Sequence, residues 1–246
     1  LRPYRRSRRR PDTNRILEDA HAMLDNPIWS SLTTNHAGFA VGDGLARRFP
    51  PEVAPFLGIP EIGPSSLAAM ARLAEPGERL TMVGLIPDDP AGWTMESRGA
   101  VSQLVFDGDR KDTELDAEAL ALGPEDVPDM LALTGLVYPA YFRPRTHELG
   151  SYLGFRHEGA LIAMAGTRMW PGTFREISGV CTHPDFRGRG LAGRLLARLV
   201  DQILHQGLTP FLHVDAGNAG ARAAYEKAGF AWRRDLPLAR LRREAP

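Results

Sequence analysis

Leu191, Leu195, Leu196, Leu199 and Ile203 fall on one stripe of a 3.6-residue period. With Gly207 as its closing residue, this run predicts a helix over 190–206. The same spacing places Ile16, Leu17, Ala20 and Leu24 on one face of a helix over 14–24. Further helices are expected over 65–74, capped by Ser65 or Ser66, over 124–137, and over 218–228, opened by Asn218 and stopped by Gly229. Strands are read in "RLTMVGLI" (79–86), "AVSQLVF" (100–106), "AEALALG" (117–123), "FREISGVCT" (174–182) and "TPFLHVDA" (209–216). Residues 151–170 predict two antiparallel strands turning at His157, Glu158 and Gly159, and "FAWRRDLPLARL" ends the pattern as one or two strands. Asp43-Gly44 marks a hairpin between two short strands. The second half thus runs β-α-β-β-β-α-β-α-β, an α+β arrangement in which helices flank a mixed sheet.

Composition narrows the classes that can carry this pattern. The chain has 246 residues, 43% hydrophobic, with a formal net charge of zero. That is enough for one large or two smaller domains, and no overall field points to nucleic acid or an acidic membrane. Only Lys111 and Lys227 are lysines among 30 basic side chains, which reads as a compositional bias. A lone cysteine excludes an internal disulfide framework and makes the cytoplasm the expected compartment. No run reaches the roughly 18 apolar residues of a membrane span. The opening "LRPYRRSRRR" holds six arginines and is expected to be a disordered basic arm, 1–13. The polar stretch "DGDRKDTELD" (107–116) is the best internal boundary, giving units at 14–112 and 113–246.

Chemistry concentrates where the 174–182 strand passes through "HPDF" into "RGRGLAGR". Glycines there let backbone N–H groups approach a ligand, and the helix that begins there turns its positive dipole end to the same point. Such a junction suits a phosphate-like anion. Metal ligation is not indicated: His147-Glu148 has no second histidine four residues on, and no cysteine pair exists.

"RGRGLA" resembles the Arg/Gln-x-x-Gly-x-Gly/Ala signature of the GNAT superfamily of N-acetyltransferases, and "HVDAGNAGARAAYEKAGF" resembles their second cofactor segment. The likeness covers about 120–243 and agrees with the order of elements. It implies the GNAT fold and acetyl-coenzyme A as co-substrate, with no metal. Arg187, Gly188, Arg189, Gly190, Leu191, Ala192 and Gly193 would cradle the pyrophosphate. Val180, Cys181 and Thr182 would offer a strand edge to the pantetheine amides, and Asn218 would open the second segment. Tyr225 matches the family's general acid at the thiolate, the alternative being a buried anchor for its helix. Glu176 matches the glutamate base of histone acetyltransferases, the alternative being a carboxylate paired with Arg175 or a neighbouring strand. By strand parity Glu176 and Thr182 share one sheet face, while Cys181 points oppositely into packing.

The expected activity is transfer of an acetyl or short acyl group to a primary amine of a small molecule or peptide, by a monomer or homodimer without nucleic-acid or membrane partners. A catalytically silent acyl-coenzyme A-binding module is the alternative. "LDNPIW" and "RRFPPEVAPF" resemble the N-terminal lobe of glycine N-acyltransferase-like members, so 14–112 is expected to be a degenerate GNAT-like lobe. His213 and "RTHELG" (145–150) are weaker candidates for an acceptor pocket.

Overall fold

The computed structural model describes residues 21–108, 118–139 and 141–245. The basic arm, most of the 14–24 helix and the boundary expected at 112 lie outside the described residues.

Eight strands form one mixed sheet in the order β4-β11-β5-β10-β9-β8-β7-β6. They are β4 (Arg79–Val83), β5 (Trp93–Phe106), β6 (Leu120–Leu122), β7 (Tyr152–His157), β8 (Ala160–Thr167), β9 (Phe174–Thr182), β10 (Thr209–Asp215) and β11 (Phe230–Arg243). Only β9 and β10 run parallel; every other neighbouring pair is antiparallel. Strands from both sides of the expected boundary share this sheet, since β5 lies between β10 and β11. A second, three-stranded sheet is built from β1 (Val41–Gly42), β2 (Arg47–Arg48) and β3 (Leu57–Gly58), and the β1–β2 turn is the Asp43-Gly44 hairpin.

Five described helices cover the sheets: α1 (Pro27–Thr33), α2 (Pro64–Arg72), α3 (Val127–Val137), α4 (Leu191–His205) and α5 (Ala219–Lys227). The expected cap of α2 is corrected: Gly63 caps it and Pro64 takes the first turn, where a missing N–H costs nothing. Helix α4 buries Leu191, Leu195, Leu196, Leu199, Val200 and Ile203 against β8, β9 and β10. Leu195 and Leu199 are fully buried, each contributing about 2 kcal/mol. Helix α3 packs on the opposite face with Met130, Leu133, Met164 and Cys181. Beside it, Leu24, Ile28, Leu32, Phe49, Val53 and Phe56 pack on Phe174 and Phe211. The N-terminal segment therefore closes one sheet face, and α4 closes the other.

Candidate active site

Strands β9 and β10 pair only from Phe174↔Thr209 to Ile177↔Leu212 and then separate. Beyond that point one edge of β9 still pairs with β8, while the edge of 178–182 that faces away from β8 has no strand partner among the described residues. A β-bulge at this position places Ser178 opposite Gly166 but Cys181 opposite Met164, and Gly179 takes φ +66° to make it. The extra residue reverses the side-chain alternation. Cys181 therefore falls on the face of Glu176 and Ser178, and Thr182 on the other, which corrects the expected parity. Cys181 is buried beneath α3, and burial pushes its thiol up to about 11.

The gap between the strands opens into a cleft of about 470 Å³. One wall is Val180, Cys181 and Thr182; the end is the loop and first turn from Arg187 to Gly193; the other wall is Tyr225 with Ala221, Ala224 and Ala228. Ten of the expected cofactor residues, all but Asn218, thus line one space with Tyr225. Gly188 and Gly190 both take φ +75°, a conformation L side chains rarely adopt, and a Cβ at either would stand in the open. In α4 the first intrahelical bond runs from Arg194 N–H to Gly190 O, so the preceding amides have no intrahelical acceptor. Arg189 lies 4.7 Å over the Phe186 ring at the rim, and Arg194 pairs with Glu118 at 2.6 Å.

Asn218 does not line the cleft. Its side chain accepts a hydrogen bond from Ala221 N–H at 3.0 Å, capping α5 and so fixing Tyr225 two turns on. Burial raises the Tyr225 hydroxyl above its ordinary value, which keeps it protonated near neutral pH. Residues the motif reading missed are Val137, Phe186, Leu196, Ala221 and Ala224 of α5, and Ala228 directly after it. The alanines carried a signal: positions 221, 224, 225 and 228 share one helical face that is small except for the tyrosine.

Glu176 is elsewhere. It is 1% exposed and does not line the cleft. Its carboxylate accepts from Arg168 Nε and Nη2, each at 2.9 Å, from Met169 N–H at 3.1 Å, and from His213 Nδ1 at 2.9 Å. Burial alone would raise its pKa, but the Arg168 charge and the His213 and Arg168 hydrogen bonds hold it well below the usual carboxylate range. Gln103 Nε2 donates to Leu24 O at 2.9 Å and reaches His213 Nε2 at 3.0 Å, which assigns the His213 proton to Nδ1. Arg175 sits on the opposite face, donating to Leu149 O and Thr167 Oγ1. The pairing partner of Glu176 is thus Arg168, not Arg175, and His213 belongs to this buried network. Thr146, from the "RTHELG" stretch, donates to Val53 O at 2.6 Å and ties that loop to the N-terminal segment.

Among the described residues no helix is long and apolar enough to cross a membrane, and no His, Cys, Asp and Glu side chains group as a metal site would require.

Comparison with known proteins bears on family and fold. The family model of the GNAT acetyltransferases matches residues 124–230. A solved structure of a GNAT-family candidate acetyltransferase from Novosphingobium aromaticivorans is 35% identical, with a TM-score of 0.83, over 90% of this chain and 99% of that one. A GCN5-related N-acetyltransferase from Kribbella flavida is 19% identical with a TM-score of 0.54, over 93% and 95% of the two chains. A GCN5-related N-acetyltransferase-like protein from Streptococcus suis is 17% identical with a TM-score of 0.56, over 94% and 99%. The last two share the fold. No curated protein matches the sequence.

Proposed function

The chain belongs to the GNAT family of acetyltransferases, and we propose from that premise that it moves an acetyl or short acyl group from coenzyme A to a primary amine of a small molecule or peptide. The observation that carries this reading is the cleft itself, which joins an open strand edge, a helix start with unengaged amides and the Tyr225 hydroxyl.

The residues present suit the co-substrate. Amides from Gly188 to Gly193 would hold a pyrophosphate, since glycine and alanine keep side-chain bulk away from it. The free edge of Val180–Thr182 would pair with an extended diamide as a further strand would. Bound there, acetyl-coenzyme A would supply a thioester whose acyl carbon is open to attack. Tyr225, protonated near neutral pH, would donate to the sulfur as negative charge develops on it. The incoming amine must already be neutral, and its proton leaves through water.

Glu176 enters this account as a positioning group. A carboxylate held ionised by four donors is a weak proton acceptor, so its part is to lock Arg168 and His213 below the point where β9 and β10 separate. We read the N-terminal segment as the lobe that covers this face on the acceptor side.

The test is an acceptor panel of small amines, amino acids and peptides, followed by release of free thiol from acetyl-coenzyme A. Turnover with at least one amine, lost in Tyr225→Phe, is expected. Tight coenzyme A binding with no turnover across the panel would favour a silent binding module.

A further inference from the structure

The cleft passes through the sheet. Tyr225 and Val180 pack with the core beneath α4 on one face, while Val137 and Cys181 belong to the cluster beneath α3 on the other. All four line the same space, which therefore runs between the faces where β9 and β10 have separated. Among the described residues Val137 is the only one of α3 in that lining, and it is the last residue of the helix. It stands one turn beyond Leu133 and two beyond Met130, the buried pair that seats α3 on the sheet.

The order of elements says which end of the cleft Val137 occupies. The pyrophosphate cradle begins at Arg187, after the end of β9, so an arm held on the strand edge would run back from Thr182 toward Gly179. Tyr138, the residue after Val137, is found there. A Cβ at Gly179 would stand 3.5 Å from the Tyr138 hydroxyl, 3.4 Å from Tyr152 Cε1 and 3.7 Å from Met164 Cε. These three side chains already fill the space beneath the bulge and leave no channel there for a longer chain. Val137 and Cys181 thus make an apolar stop at the far end of the arm, on the face away from Tyr225. The guanidiniums of the lining, Arg187 and Arg189, are at the other end.

Resting on the activity proposed above, we propose that Val137 sets acyl specificity, restricting the co-substrate to short, uncharged acyl groups. The acyl carbon next to the sulfur would reach the gap beside Tyr225, and the carbons beyond it would meet the Val137 isopropyl group. In an open apolar groove each further methylene would tighten binding about fourfold. Against a packed wall it must displace side chains instead. A carboxylate at the acyl terminus would leave water with no cationic side chain lining this end.

The experiment is calorimetric titration of the full chain, without acceptor. The ligands are coenzyme A and its acetyl, propionyl, butyryl, hexanoyl and succinyl thioesters, each affinity taken relative to coenzyme A in the same protein. In the native chain affinity should hold or rise as far as propionyl and fall about tenfold by hexanoyl, with succinyl weaker than acetyl. Val137→Ala shortens the wall and should raise butyryl about fourfold or more. Val137→Ile lengthens it by one carbon and should weaken propionyl relative to acetyl. Unfolding curves would show that both variants fold. Hexanoyl binding as tightly as acetyl to the native chain would overturn the proposal, as would succinyl binding as tightly as acetyl. A chain-length profile unchanged in both variants would do the same. In each of these results coenzyme A still binds and the proposed function stands; failure of coenzyme A itself to bind would overturn both.

Discussion

Replacing Glu176 with Gln removes a charge that four donors converge on. Arg168 would keep one hydrogen bond to the amide oxygen but lose its counter-charge, with a side chain only 15% exposed. At an effective dielectric of about 20 and a charge separation of about 4 Å, the lost attraction is about 4 kcal/mol. Broken buried pairs commonly cost about 3–5 kcal/mol, so a loss of about 3 kcal/mol is a fair expectation once the surviving hydrogen bond is allowed for. The effect has a pH signature. The Glu176 pKa is held below its ordinary 4.5, so its stabilisation is complete above that value and disappears as the pH falls toward the folded-state value. Urea unfolding of the native chain and Glu176→Gln near neutral pH and again below pH 4.5 would measure both. The gap should be large at neutral pH and should narrow in acid. A gap under about 1 kcal/mol at neutral pH, or one that does not shrink on acidification, would refute the argument that Arg168 and His213 hold this carboxylate ionised.

Three further outcomes follow from the same geometry. Burial and the nearby Arg175 charge lower His36 from its ordinary 6.5 to about 4. Its contribution is complete above 6.5 and lost between 6.5 and about 4, up to about 3 kcal/mol; unfolding midpoints of the native chain should fall across that window and those of His36→Phe should fall less. Tyr225→Phe should lower turnover about a hundredfold with little change in coenzyme A affinity, and unchanged turnover would make the tyrosine an anchor for α5. Cys181, buried with its thiol at about 11, should react with a thiol reagent at neutral pH far more slowly in the folded chain than in urea, and equal rates would contradict its packing beneath α3.

How much of this was legible in the sequence depended on how local the cause was. The α4 stripe, the Asn218 cap and the Asp43-Gly44 hairpin are each set by residues within a few positions, and each appears as expected. The RGRG junction lines the cleft because its glycines and the helix start are one local unit. Non-local causes were hidden. Strand β5 runs 14 residues, twice the apolar stretch that announced it, because β11 pairs along its exposed polar half, Glu96 to Gly99, as well as its buried half. The bulge at Gly179 left only a glycine in a strand as its trace, and it reversed the parity on which Glu176, Cys181 and Thr182 were sorted. Arg168 could not be named as the partner of Glu176 without knowing how the end of β8 returns into β9.

The central claim is that the cleft beside the start of α4 holds one coenzyme A, and titration calorimetry of the native chain and Gly190→Asp tests it most directly. The aspartate would set a carboxylate at the helix start, against the pyrophosphate, at a position where a Cβ meets no protein atom within 4 Å, though its φ of +75° adds local backbone strain. One site per chain in the native protein, and loss of binding in a variant that still unfolds cooperatively, is the predicted result. Retained affinity in folded Gly190→Asp, or a native stoichiometry of two, would contradict it.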